Sequence, residues 1–249
     1  GLAIKTAVEY WRSLKPHNMG AIYWQLNDTW PVASWSSLDH GGGWKVLHHM
    51  VKRFFKPSAV FAVPTPDGEA VRIVAVNDRP DLVNMDFVMK SVALDGTETV
   101  LSRISVTTPP DRAVDAAWLN ARDIGNDRLL VFDYVVSDGT SGRGHLTLQP
   151  YKRLALTDPG IEVTTAVLDG FATVTLKAAR PAFFVSLETD AGGRFDDGGF
   201  DLMAGETRTI RFLANDQVDP GEVLASLIVR NLHSATYPPK QEAGQPAST

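Results

Sequence analysis

From Val71 onward the chain is built of short runs in which apolar and polar residues alternate: "VRIVAV", "DFVMKSVAL", "LSRISV", "RLLVFDYVV" and "HLTLQ". A period of two sends successive side chains to opposite faces of an extended backbone, so these runs read as strands with one buried face. Turn signals part them, among them Asp95-Gly96, Pro109-Pro110, Gly125-Asn126 and "SDGTSGRG". Short strands so spaced predict an antiparallel β-sandwich. After a linker over Tyr151–Gly160 comes a second series, "IEVTTAVL", "FATVTLK", "AFFVSLET", "TRTIRFL" and "EVLASLIVRN", with the same spacing. The two series share no register-matched motif, so they read as two domains of one architecture rather than a solenoid. Residues 57–152 and 153–238 are the expected sandwiches. Residues 239–249, with no apolar residue beyond alanine, read as a disordered tail.

Residues 1–56 have another texture. Five of the six tryptophans (Trp11, Trp24, Trp30, Trp35 and Trp44) lie in this stretch, and only Trp118 lies beyond it. Leu2, Ala3, Ala7, Trp11 and Leu14 fall near helical spacing, and Pro16 stops that helix. The run "AIYWQL", Ala21–Leu26, reads as a buried strand, and a polar loop follows it. Trp44, Leu47, His48, Val51, Phe54 and Phe55 predict a second helix, closed by Pro57. Helix, buried strand, loop, helix is the tail of an α/β unit. A start inside the expected first helix raises the expectation that the chain is a piece of something larger.

Composition narrows the function classes. A formal net charge of −5 and scattered Lys and Arg argue against nucleic acid as a partner. The absence of cysteine excludes disulfides and thiolate metal sites. No uncharged apolar run reaches the roughly 18 residues a membrane span needs. No cofactor signature stands out. "DHGGGW" lacks the lysine of a P-loop and the context of a dinucleotide fold, and reads as a flexible turn. His48 and His49 are adjacent on one helix and diverge by about 100°, so they share no metal. The acidic stretch Glu188–Leu202 does not fit a calcium-loop spacing and reads as a β-turn with polar tips.

The tryptophan-rich stretch is the candidate site. At the carboxyl end of a parallel strand, Trp24 with Asn27 and Asp28 fits a carbohydrate. An indole offers a flat platform for the C–H face of a sugar ring, and an amide and a carboxylate serve its hydroxyls. Trp11 and Trp44 read as core, and Trp35 as packing. Asn27-Asp28-Thr29 also matches an N-glycosylation triplet, discounted because it adjoins a buried strand.

The segment "GAIYWQLNDTWPVASWSSLDHGGGWKVLHHMVKRFFKP", Gly20–Pro57, closely resembles the end of the catalytic barrel in β-mannosidases of glycoside hydrolase family 2. "RLALTDPGIEV" and "FFVSLETDAGGRFDDGGFDLMAGE" resemble the C-terminal domain of those enzymes. The resemblance implies that residues 1–56 are the last strand and helix of a (β/α)8 TIM barrel. Two immunoglobulin-like β-sandwiches would follow, the first of mannosidase type.

It implies a retaining exo-β-mannosidase that removes terminal β-D-mannose from mannosides and manno-oligosaccharides, with an N-terminal part of the same enzyme as partner. Trp24 matches the tryptophan that walls the sugar subsite. Asn27 and Asp28 either bind hydroxyls or hold the loop. The two catalytic glutamates of the family match no position here. Residues 1–56 hold only Glu9, Asp28 and Asp39 as carboxylates, so no catalytic residue is assigned and the chain alone should be inactive. Other readings are a different family 2 exo-glycosidase, such as a β-galactosidase or exo-β-glucosaminidase, or a non-catalytic carbohydrate-binding sandwich. The compartment stays open, a periplasmic or secreted location being compatible with the composition.

Overall fold

The structure, a computed structural model, describes residues 1–214 and 218–238. The chain divides into two compact units, Gly1–Ala155 and a second that begins at Leu156. The tail expected over 239–249 lies outside the described residues.

The first unit opens with helix α1, Leu2–Arg12, and helix α2, Val46–Phe54, both where the apolar spacing predicts them. Between them the structure departs from expectation: Ala21–Leu26 is not a strand. A parallel strand exists only through its neighbours' hydrogen bonds, and among the described residues no strand lies beside this segment. Its side chains still alternate. Ala21, Tyr23 and Gln25 are half-buried, whereas Ile22, Trp24 and Leu26 are exposed.

Seven strands follow in this unit: β1 Ser58–Pro64, β2 Ala70–Asn77, β3 Val83–Ala93, β4 Glu98–Thr108, β5 Arg112–Asn120, β6 Arg128–Val136 and β7 Ser141–Thr147, with a short helix α3, Ala121–Ile124, before β6. They form one sheet in the order β1-β2-β5 and another in the order β4-β3-β6-β7, every pairing antiparallel. Alternation sets the inward face. Val83, Met85, Phe87 and Met89 of β3 are buried, with Asn84 and Asp86 between them exposed. They share a core with Val71, Ile73, Leu130 and Phe132, so both sheets feed one interior, as a sandwich requires. β1 and β5 were not legible as strands, and β7 begins inside the glycine-rich run read as a turn.

The glycines of β7 have a packing reason. Gly142 and Gly144 lie opposite Tyr134 and Phe132 in the ladder, and a Cβ at either position would overlap the facing ring. The rings occupy the room the missing side chains leave. Gly144→Ala is expected to cost about 1–3 kcal/mol by overpacking, because the buried Phe132 ring has little space to swing. Urea unfolding midpoints check this, and Phe132→Leu should recover part of the loss.

The second unit contains β8 Ile161–Leu168, β9 Phe171–Ala178, β10 Ala182–Glu188, β11 Gly193–Phe195, β12 Phe200–Leu202, β13 Thr207–Ala214, helix α4 Pro220–Ala225, β14 Ile228–Arg230 and helix α5 Leu232–Thr236. Its sheets run β11-β13-β9-β8 and β12-β10-β14. Val174, Leu176, Ile210 and Phe212 from one sheet meet Val185, Phe200 and Leu202 from the other. The run "EVLASLIVRN", read as one strand, divides into α4 and β14. Asp219 caps α4 by accepting from the Gly221 N–H, and Pro220 sits in its first turn, a start signal that outweighs the β-branched residues further on.

Candidate functional site

The tryptophan-rich segment is held by backbone bonds to one short stretch, Ser37–Leu38. The Ser37 N–H donates to the carbonyls of Gln25 (3.2 Å) and Leu26 (3.1 Å), and that of Leu38 donates to Leu26 at 2.8 Å. Asp28 N–H returns a bond to the Leu38 carbonyl at 3.1 Å. Lys45, the residue that caps α2, donates its N–H to the Ser37 carbonyl at 3.0 Å. The extended segment, the stretch 37–38 and the start of α2 are therefore stitched in sequence. The Trp24–Gln25 peptide is cis.

Side chains repeat that connection. The Ser37 hydroxyl lies 2.9 Å from the Tyr23 hydroxyl and 3.0 Å from His48 Nδ1, and donates to the Leu26 carbonyl at 3.0 Å. Tyr23 thus faces α2. Partial burial lowers the pKa of the His48 imidazole, whose ring stands edge-on to Trp44 at 4.3 Å.

Asp28 is 4% exposed, and both of its carboxylate oxygens are engaged. Oδ1 accepts from the Ser34 hydroxyl, and Oδ2 accepts from Lys45 Nζ at 2.8 Å. Lys45 Nζ also donates to the Ser36 hydroxyl at 2.6 Å. The hydrogen bonds from Lys45 and Ser34 hold the Asp28 pKa down to about 2, against an ordinary 3.8. Burial acts in the opposite direction, so the downward shift comes from hydrogen bonding. Asn27 is exposed and its amide nitrogen donates to the Asp28 carbonyl at 3.2 Å.

Trp24 is 78% exposed, and Trp30 lies open beside it in sequence. Trp35, expected to pack, is 80% exposed and lines a shallow groove of about 610 Å³ with Val32, Ala33, Ser34 and Lys45. Trp11, expected in the core, is also exposed along one edge, because α1 buries only Val8 and Arg12 completely. Trp44 is half-buried against His48 and His49. Sequence reasoning missed Ser34, Ser36, Ser37 and Lys45. A readable signal existed in the serine cluster "SWSS" a few residues after a carboxylate in an apolar stretch.

Among the described residues no group of three or more His, Asp or Glu is placed to hold a metal ion. No helix among them is long and apolar enough to cross a membrane.

Comparison with known proteins gives the family. The Ig_mannosidase family model, an Ig-fold domain, matches residues 156–235, the span of the second sandwich. β-Mannosidase of Capra hircus is 31% identical over 251 residues, covering 92% of this chain and 28% of the relative. β-Mannosidase A of Aspergillus terreus is 25% identical over 257 residues, covering 93% of this chain and 27% of the relative. The chain corresponds to the C-terminal portion of the β-mannosidases. It spans little more than a quarter of the length of these curated relatives.

Solved structures agree on the fold of this β-mannosidase-like chain. The β-D-mannosidase of Dictyoglomus thermophilum superposes with a TM-score of 0.78 at 22% identity, over 93% of this chain and 28% of that one. The exo-chitosanase of Amycolatopsis orientalis gives 0.62 at 17% identity, over 92% and 32%.

Proposed function

We propose that the chain is the C-terminal part of a retaining exo-β-mannosidase of glycoside hydrolase family 2, which removes terminal β-D-mannose from mannosides and manno-oligosaccharides. In this reading residues 1–56 complete a (β/α)8 barrel, residues 57–152 and 153–238 are immunoglobulin-like sandwiches, and Trp24 is a wall of the sugar subsite. One observation carries it: Ile22, Trp24 and Leu26 form an exposed apolar row, Ile22 being 95% exposed, while Tyr23 turns toward α2. Side chains of a barrel strand divide in this way, one set inward among the other strands and one set outward against the helix. In this reading the inward set is bare because no strand lies beside it among the described residues.

The carboxylates of this segment support a catalytic pair supplied from elsewhere. Retaining hydrolysis needs two carboxyl groups roughly 5–5.5 Å apart. Glu9 is paired with Lys5 at 2.8 Å on α1. Asp39 closes a turn by accepting from the Gly43 N–H at 2.7 Å. Asp28 is sealed. In this reading the exposed Asn27 amide serves a sugar hydroxyl, and the sandwiches support the barrel without binding sugar.

The test compares the isolated chain with the enzyme formed when it is joined to its upstream portion. The joined enzyme should release 4-nitrophenol from the β-D-mannoside and not from the matching β-D-galactoside or β-D-glucosaminide. The isolated chain should release none. Trp24→Ala in the joined enzyme should lower kcat/KM by about 100-fold, the scale set by losing a positioning wall. Preference for the glucosaminide would move the assignment to an exo-glucosaminidase.

A further inference from the structure

We propose that Asp28 and Lys45 are a positioning pair for sugar binding. Their ion pair, braced by Ser34 and Ser36, fixes the segment from Trp24 to Leu38 so that the indole meets the substrate at one angle, and Asp28 itself touches no hydroxyl. The inference rests on the reading of Trp24 as a sugar wall.

The geometry argues this directly. A carboxylate that serves a sugar needs a lone pair facing the site. The Asp28 side chain is 1% exposed and spends Oδ1 on Ser34 and Oδ2 on Lys45. A hydroxyl could reach it only by displacing a charge-assisted bond, which is among the stronger kinds. Lys45 is an unusual choice for its position. As the residue capping α2 it sits at the positive end of the helix dipole, where a cation is disfavoured and no side-chain cap forms. An acid in hydrogen-bond reach accounts for it.

The path from the pair to the indole is short. Lys45 binds Ser36 through Nζ and Ser37 through its backbone N–H. Ser37 in turn holds the carbonyl of Gln25, the residue next to Trp24. The loop carries few apolar anchors of its own, since Trp24, Trp30 and Trp35 all point outward. The polar network therefore bears the fixing.

Removing Lys45 strands the buried Asp28 carboxylate, and removing Asp28 takes the charged partner from Lys45, whereas removing both strands no buried charge. In the joined enzyme, Asp28→Asn and Lys45→Met should each raise KM for the aryl β-mannoside about tenfold with kcat nearly kept, short of the roughly 100-fold that a 1 Å misplacement can cost. Lys45→Arg, which keeps the charge, should stay within about twofold of the parent, and the double variant should be milder than Lys45→Met alone. A hydroxyl ligand at Asp28 would instead keep its full loss in the double variant. That result, or KM unchanged in both single variants, overturns the proposal.

A second readout does not depend on sugar cleavage. Because its folded pKa is depressed, Asp28 contributes its bonds above its ordinary value of 3.8 and loses them as pH falls toward about 2. Tryptophan emission of the chain and of Asp28→Asn should therefore differ at neutral pH and converge near pH 2, with far-UV circular dichroism following global unfolding. Identical emission at neutral pH overturns the pair whatever the substrate proves to be. A joined enzyme that cleaves no mannoside, with the emission difference intact, overturns the substrate and keeps the pair as the fixing of the loop.

Discussion

Replacing Arg12 by alanine should strongly destabilise the first unit. The Arg12 guanidinium is 5% exposed. It donates to the Phe54 carbonyl, to the Lys56 carbonyl at 2.8 Å and to Asp78 Oδ2 at 2.9 Å, and it lies 5.2 Å from the centroid of the Phe61 ring. It therefore closes the carboxyl end of α2, where carbonyls have no helical partner, and ties both helices to the sandwich through β1 and the residue that follows β2. Lys15 shares Asp78 at 3.0 Å. Removing the arginine takes the donor from the buried Phe54 carbonyl and one donor from the partly buried Lys56 carbonyl, and leaves Asp78 with Lys15 as its cation.

The expected loss is about 3–5 kcal/mol, from charge-assisted hydrogen bonds worth roughly 1.5–3 kcal/mol each together with the lost packing of the side chain against Phe61. In a unit of this size that lowers Tm by roughly 10 °C. Arg12→Lys should recover less than half of it, because an ammonium cannot serve three acceptors in a planar fork. Thermal unfolding of the three proteins decides the matter. A loss below about 1 kcal/mol would mean the helices hold to the sandwich by apolar contact alone.

Leu176→Ala should destabilise the second unit by about 2–5 kcal/mol. Leu176 is fully buried on β9, the strand flanked by β8 and β13, and its side chain lies in the core shared by both sheets. Truncation opens a cavity that neighbours such as Val174, Ile210 and Phe212 are too constrained by strand register to fill. Leu176→Met, which nearly conserves volume, should cost less than about 1.5 kcal/mol. Denaturant midpoints with unchanged slopes would establish that stability rather than compactness has changed.

The two substitutions differ in how far the sequence foretells them. Leu176 stands in "FATVTLK", whose alternation marks it as inward without any knowledge of the fold. Nothing local marks Arg12. It falls among apolar residues of an amphipathic helix, and its partners lie 42 to 66 positions away. The same division runs through the candidate site. Trp24 and Asn27 stand out by residue type, and their exposure is what a ligand-facing role needs. Asp28 stands out equally, and its bonds to Ser34 and Lys45 favour the loop-holding one of its two expected roles, though no spacing rule selects those partners in advance. Trp35 shows the reverse error. A tryptophan between serines resembles packing, but the serines are the inward residues and the indole is left outside.

The strand over Ala21–Leu26 marks another boundary. Its alternation is real, since Tyr23 faces α2 and Ile22 does not, so the local pattern was correctly legible. The strand itself is absent because hydrogen bonding across a sheet belongs to two segments, and a pattern in one cannot supply the other. Glycine 144 shows the converse, a residue that weakens a strand in isolation but is required once Phe132 lies across from it.

By itself the sequence determined the two sandwich units, the two opening helices, the inward faces of the longer strands and the concentration of indoles in one segment. These follow from side-chain direction along a backbone, which repeats every two or 3.6 residues and needs no distant partner. Only the tertiary structure decided that Arg12 joins the helices to the sandwich, that β7 needs glycine, that Asp28 is bound by Lys45 and that Trp24 stands uncovered. Each of these depends on which remote groups chain closure brings within a few ångströms, and that is a property of the whole fold rather than of any window of residues.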